Sequence, residues 1–251
     1  MKAKDIIVLS NQAKDAPEVF LSLQGEGPES GRPSVFVRTS GCNLYCYWCD
    51  TPYTWNWEGV NYEHELKKKY QKSNEQSKLS YGQLSELIQE YNCNNVVFTG
   101  GEPLAQMDKI AGLCELLNIH GDYTYDVETN GTIAPSEHLD SYIDKYVCSP
   151  KLANSRVPSD LRLKKDVLNW FARSPKSYFK FVVESQDDVL EVIDIVKDYK
   201  LKADRVYLMP RALGITELKK NEKFVSEQCL EYGFRFGDRL HLRLYGEGRG
   251  V

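Results

Sequence analysis

Short apolar or β-branched runs alternate with longer stretches of helical periodicity along most of the chain. Six runs read as strands: VFVRTS from Val35, NVVFTG from Asn95, YTYDVET from Tyr123, KYVCSP from Lys145, YFKFVVE from Tyr178 and RVYLMP from Arg205. Between them lie amphipathic segments. Residues 80–91 open on Ser80 with Gln83 three places on, a capping-box pattern ahead of Leu84, Leu87 and Ile88. Residues 103–118 place Ile110, Leu113, Cys114 and Leu117 at helical spacing, and residues 187–199 do the same with Val189, Val192, Ile193 and Val196. This βαβα order predicts a parallel sheet with helical crossovers. Six units fall short of the eight of a closed barrel, so the expected fold is α/β, an incomplete and open parallel β/α barrel of about six strands. The segment of about 52–79 is polar and reads as an insertion with one short helix near 62–71. No linker divides the chain, which predicts one domain over residues 1–251.

Composition narrows the functional classes. The 251 residues suffice for a sizeable core, and 27% charged with 41% hydrophobic residues is ordinary for a soluble globular protein. A net charge of −4 gives no support to broad nucleic-acid or membrane-surface binding. Lys67, Lys68 and Lys69 lie beside Glu63 and Glu65 and read as a solvated helix face. No apolar stretch reaches membrane-spanning length, and the apolar core of MKAKDIIVLSNQAKD is too short for a signal peptide, so a cytoplasmic protein is expected. Three of seven cysteines crowd onto one loop, which suits a metal site in a reducing compartment better than a disulfide framework. Cys93, Cys114, Cys148 and Cys229 are scattered and read as packing residues.

The crowded three, Cys42, Cys46 and Cys49, have the spacing C-x3-C-x2-C just after the first strand. Three thiolates can hold three corners of an iron–sulfur cube and leave the fourth iron open, whereas electron-carrying clusters of this kind take four cysteines. An open coordination position is the mark of a metal centre that does chemistry. Two rival readings are a zinc site completed by Asp50 or His64, and a non-catalytic cluster-bearing carrier. Structural zinc usually draws ligand pairs from two separated stretches, and no second pair is present. A carrier needs a fourth nearby cysteine, and none lies between Cys49 and Cys93.

Barrel enzymes build their sites on the loops after the strands. Those positions carry Asp50-Thr51, Thr99-Gly100-Gly101-Glu102-Pro103, Glu128-Thr129-Asn130-Gly131, Ser149-Pro150-Lys151 and Met209-Pro210-Arg211. Adjacent glycines allow close backbone approach to a ligand. Glu102 suits a ligand ammonium group, Glu128 and Asn130 suit ribose hydroxyls, and Lys151 suits a carboxylate. Pro103 suits the first residue of a helix.

The cysteine loop and GGE-P turn resemble the radical S-adenosylmethionine superfamily. That resemblance implies an open iron chelated by S-adenosylmethionine, whose cleavage gives a 5′-deoxyadenosyl radical. The stretch FLSLQGEGPESGRPSVFVRTSGCNLYCYWCDT, residues 20–51, together with VVFTGGEP, VETNG, CSPK and LHLRLYGEGRGV, is similar to the 7-carboxy-7-deazaguanine synthase family. The resemblance runs from Phe20 to Val251. It implies ring contraction of 6-carboxy-5,6,7,8-tetrahydropterin with loss of ammonia on the way to queuosine and other deazapurines, with a 4Fe-4S cluster, S-adenosyl-L-methionine and Mg2+. By motif, Leu23, Gln24, Gly25 and Thr99 are implied to border the substrate and Arg38 to pair with its carboxylate. Trp48, Cys49, Asp50, Gly101, Ser149, Pro150 and Lys151 are implied to border S-adenosylmethionine, and Thr51 to bind Mg2+. His241 and the terminal carboxylate of Val251 are implied to fold back over the substrate, with an ordinary strand histidine the alternative for His241. An electron donor such as flavodoxin or ferredoxin and a homodimer also follow from the resemblance. A glycyl-radical-enzyme activase shares the cysteine loop but lacks the LQGEG segment. Neither Arg211 nor the 52–79 segment receives a catalytic part.

Overall fold

The computed structural model describes residues 5–251. In chain order the strands and helices are β1 (Ile6–Ala13), β2 (Ala16–Pro17), β3 (Val19–Leu23), β4 (Pro33–Thr39), β5 (Gln76–Ser80), α1 (Tyr81–Gln89), β6 (Asn95–Gly100), α2 (Met107–His120), β7 (Thr124–Thr129), α3 (Glu137–Asp140), β8 (Lys145–Cys148), α4 (Ser159–Arg162), α5 (Lys165–Arg173), β9 (Ser177–Val183), α6 (Gln186–Tyr199), β10 (Val206–Pro210), α7 (Ile215–Tyr232), β11 (Arg235–Phe236) and α8 (Leu240–Leu244). One sheet runs β11-β10-β9-β8-β7-β6-β4-β1-β2, with β3 also on β4 and β5 also on β1. Its ends do not meet, so the barrel is open.

All six predicted strands form and lie side by side as β4 and β6 to β10, every pairing parallel. The two-residue strand β11 extends the parallel run. The antiparallel part was not expected: β1 pairs with β2, β4 and β5, and β3 pairs with β4. The period-2 pattern sorts side chains between layers. On β9, Phe179, Phe181 and Val183 enter the main core under the helices, whereas Lys180 and Val182 face the barrel interior. On β6, Val96 and Phe98 pack outward into that core, while Val97 joins Phe20 and Phe36 inside. Each fully buried side chain of this size contributes about 1.5–3 kcal/mol.

The helices start where local hydrogen bonds allow. Ser80 and Gln83 make the reciprocal capping box of α1, and Ser185 with Asp188 does the same for α6. The helix expected from residue 103 begins at Met107, because Pro103–Gln106 forms a 3-10 turn closed by the Glu102 carboxylate on the Leu104 amide. No helix forms at 62–71. Lys67 has φ 50°, and Lys69 Nζ donates to Asn56 Oδ1 and to the carbonyls of Val60 and Tyr62, which holds the segment as a compact loop. The lysine run is therefore not a solvated helix face: Lys69 is tied down and Lys68 lies 4.7 Å over the Tyr70 ring. The 52–79 segment also contributes β5, and Tyr53, Thr54, Trp55, Asn56 and His64 are buried. Cys114, Cys148 and Cys229 are buried in the core, and Cys93 is half-buried against it. No helix of the described residues is long and apolar enough to cross a membrane.

Candidate active site

The loops at the C-terminal ends of the parallel strands surround a cavity of about 540 Å³, within the range of small-molecule sites. Its walls are completed by Leu23 at the end of β3 with Gln24–Glu26 after it, by Pro52–Trp55, and by the Gly246–Val251 tail.

The cysteine loop is set by close backbone packing. Gly101 N–H donates to the Thr39 carbonyl and Glu102 N–H to the Gly41 carbonyl. A Cβ on Gly101 would sit 2.1 Å from the Gly41 oxygen, so only glycine permits the two loops to touch. Below this contact Cys42, Cys46 and Cys49 all line the cavity, packed on Leu44 and Val157. Leu44 N–H points at Cys42 Sγ at 3.4 Å, and the Thr51 hydroxyl lies 3.7 Å from Cys49 Sγ, contacts of the kind that tune thiolate clusters. Burial pushes the three thiols up, Cys46 to about 12 against the pull of Lys151. Metal coordination therefore displaces protons here. No three His, Cys, Asp or Glu groups of the described residues converge on a single-ion site. Three thiols on one loop at the cavity wall suit a cluster, whose thiolates bind separate irons. His64, the other suggested zinc ligand, instead uses both ring nitrogens structurally: Nδ1 accepts from Leu66 N–H, so Nε2 donates to the Cys49 carbonyl at 2.8 Å.

One side of the cavity carries a buried charge network. The Glu26 carboxylate meets Lys180 Nζ on one oxygen and Arg239 Nε at 3.1 Å on the other. Arg239 continues to Asp50 and to the Ala212 carbonyl. Burial raises the Glu26 carboxyl, but Lys180 and Arg239 outweigh it and hold the group well below the usual carboxylate range. A depressed folded-state value gives stability that is present above the unfolded-state value and lost as the pH falls. Lys180→Met leaves Glu26 with one cation, at an expected cost of about 3–5 kcal/mol at neutral pH. The difference from the parent should narrow with acidification, as Glu26 becomes protonated; urea unfolding at several pH values reads both effects.

The same cavity carries the groups matched to the substrate. Glu128 accepts from Gln24 Nε2 at 3.1 Å and from the Thr99 hydroxyl at 2.8 Å, so it ties β6 and β7 to the turn after β3. Each Glu128 oxygen thus has a partner, Gln24 or Thr99, that is itself matched to the substrate. Arg38 gives Nε to the fully buried Glu18 at 2.8 Å. Among the described residues no hydrogen-bond partner takes its two terminal nitrogens, which leaves a planar fork on the cavity. Ser149 accepts from Lys151 Nζ, which lies 5.9 Å over the Trp48 ring. His241 and Val251 line the cavity, His241 on α8 and not on a strand. Burial pushes its imidazole below the ordinary value.

Two expected site residues do not face the cavity. Glu102 is buried behind the wall, where its carboxylate accepts from Leu104 N–H, the Thr129 hydroxyl and Asn130 N–H. Burial raises this carboxyl to about 6. Its work is to bind the turn after β6 to the turn after β7, behind the wall that faces the cavity. Pro150 is likewise buried outside the cavity lining, while Ser149 and Lys151 on either side face it. Asn130 reaches the cavity, but its amide is committed to Asn43 and Thr132. Every other expected residue, Thr51 included, lines the cavity. Residues not anticipated are Glu18, Glu26, Tyr53, Lys180 and Arg239. A lysine inside the apolar run YFKFVV and the single acid of LQGEG were visible signals for Lys180 and Glu26; Glu18 gave none. Arg211 pairs with Glu65 and Glu184, so it fastens the 52–79 segment to the rim.

The family model of the Radical SAM superfamily matches residues 36–213. The 7-carboxy-7-deazaguanine synthase of Pyrobaculum aerophilum is 37% identical over 93% of this chain and 95% of its own length. The 7-carboxy-7-deazaguanine synthase of Rhodopirellula baltica is 33% identical over 93% of this chain and 87% of its own. Among solved structures, QueE from Escherichia coli superposes with a TM-score of 0.64 at 26% identity, covering 93% of this chain and 95% of that one. With the cysteine loop, the open parallel barrel and these relatives together, the chain belongs to the radical SAM superfamily and, within it, to the 7-carboxy-7-deazaguanine synthase family.

Proposed function

We propose that this chain is a 7-carboxy-7-deazaguanine synthase, a lyase that contracts the ring of 6-carboxy-5,6,7,8-tetrahydropterin to 7-carboxy-7-deazaguanine and releases ammonia, in the pathway to queuosine. The observation that carries the reading is the single cavity that joins the cysteine triplet to Gln24, Arg38, Thr99 and Glu128. A 4Fe-4S cluster and S-adenosyl-L-methionine supply the hydrogen-abstracting radical when bound. Cys42, Cys46 and Cys49 hold the cluster. Trp48, Asp50, Gly101, Ser149 and Lys151 border S-adenosylmethionine: Lys151 offers an ammonium, and Gly101 exposed backbone. Arg38 takes the pterin carboxylate on its free fork, while Gln24, Thr99 and Glu128 form a hydrogen-bonded edge for the flat heterocycle. Leu23 and Gly25 border that edge, with His241 packed against Gly25 and Val251 also on the cavity wall. A Cβ on Gly25 would fall 2.3 Å from His241 Nδ1, so a side chain there displaces the histidine. Thr51 is the Mg2+ ligand, a hard hydroxyl oxygen that leaves most positions to water and substrate.

Flavodoxin or ferredoxin is the proposed electron donor, and a cytoplasmic homodimer the proposed working form. The test is anaerobic reconstitution with iron and sulfide, followed by turnover with the pterin, S-adenosylmethionine, Mg2+ and a reductant. The expected result is the deazaguanine product, with a rate that falls when Mg2+ is chelated. A fully reconstituted protein that cleaves S-adenosylmethionine without giving that product overturns the substrate but not the superfamily.

A further inference from the structure

Arg38 belongs to a longer line of contacts than its pairing with Glu18. The Tyr53 hydroxyl lies 3.0 and 2.9 Å from the two oxygens of Glu18 and donates to that carboxylate. The face of the same ring carries the Arg249 guanidinium at 3.6 Å from its centroid. Arg249 in turn donates to the Asn11 carbonyl at 2.9 Å and to Glu75 at 2.6 Å. Among the described residues, no other side chain of Gly246–Val251 hydrogen-bonds to the body, and three of those six residues are glycines. Arg249 is thus the fastening of a tail that lines the same cavity as Arg38.

We propose that Glu18, Tyr53 and Arg249 act as one positioning unit, which fixes the Arg38 fork and the Gly246–Val251 tail at a common spacing across the cavity. Tyr53 is the joint. Its ring is buried, so a shift that loosens the cation–π contact also moves the hydroxyl on Glu18, and the reverse. None of the three needs to touch the reacting atoms. The substrate would feel them as a change in how well its carboxylate and the far end of the ring are held together. This inference rests on the reading that Arg38 binds the pterin carboxylate.

The test uses full-length reconstituted holoenzyme bearing Tyr53→Phe, Arg249→Met or both. Tyr53→Phe removes the hydroxyl and keeps the ring; Arg249→Met removes the cation and keeps much of the stem. Each single variant should raise KM for the pterin about tenfold with a smaller change in kcat, and should increase S-adenosylmethionine cleaved per product formed. Because the two act through one joint, the double variant should also lie near tenfold. A double effect near the product of the singles, about a hundredfold, overturns the unit, as does an unchanged KM in Tyr53→Phe. Should Tyr53→Phe fail to fold, a second cycle pairs Arg249→Met with Arg38→Ala and reads pterin affinity by calorimetry without reductant. There the loss from Arg249→Met must shrink when Arg38 is absent, and an undiminished loss overturns the coupling. A parent enzyme that does not turn over the pterin overturns instead the functional reading beneath it.

Discussion

Exchange of Arg38 for alanine is expected to lower kcat/KM for 6-carboxy-5,6,7,8-tetrahydropterin by about 10³-fold, while reductive cleavage of S-adenosylmethionine continues. The magnitude follows from the geometry. Glu18 occupies only Nε, so the two terminal nitrogens remain for a carboxylate. Two charge-assisted hydrogen bonds at about 2 kcal/mol each give about 4 kcal/mol, equivalent to about three powers of ten. The cost has a second part. Without Arg38, the fully buried Glu18 keeps, among the described residues, the Tyr53 hydroxyl, and its carboxylate loses the Arg38 counter-charge. Arg38→Lys separates the two parts: it restores a charge beside Glu18 but not the planar fork, so stability should recover more than turnover. Separate assays of deazaguanine product and 5′-deoxyadenosine, with thermal unfolding beside them, read the three quantities. Normal pterin turnover by Arg38→Ala would show the substrate placement to be wrong.

Cys46→Ala is expected to remove all activity, including cleavage of S-adenosylmethionine, together with the broad visible absorbance of the reconstituted cluster. Cys46 is the most buried of the three cysteines and sits between the other two on a loop held by the Gly41–Gly101 contact. With only two thiolates, a second iron loses its protein ligand. The control is Cys93→Ala, half-buried at the other end of the strands, where the thiol donates only to backbone carbonyls. That variant should reconstitute to the parent's iron content. Equal iron content in Cys46→Ala would place the cluster elsewhere.

The parallel half of the fold was legible because its strands are buried on both faces and read as apolar runs. The antiparallel half was not. β5 is QSKLS, a polar edge strand whose identity comes from pairing with β1, and a single sequence carries no sign of that pairing. The helix expected at 62–71 was lost to tertiary hydrogen bonds from Lys69, which local propensity does not register. In the site, the cysteines and rim turns stood out because each is a contiguous motif. Glu102 was misread for the same reason: an acid on a glycine turn looks like a ligand group until its three donors are known. Glu18 and Arg239 stayed hidden because their partners lie far away in sequence.

That distance has a consequence for how the protein comes to be folded. The contacts that close one wall of the cavity join Lys180 to Glu26 across 154 residues, Arg239 to Glu26 across 213 and Arg239 to Asp50 across 189. During synthesis, the cysteine loop and the first parallel strands emerge well before Arg239 exists, and Glu26 must wait in water for its cations. Contacts of such separation form late, after the local helices and neighbouring strands have assembled. The nascent chain therefore passes through a stage with its thiols present and its active site unwalled. A chain halted before residue 239 would lack the Arg239 contacts to Glu26 and Asp50, and with them one wall around its cysteines.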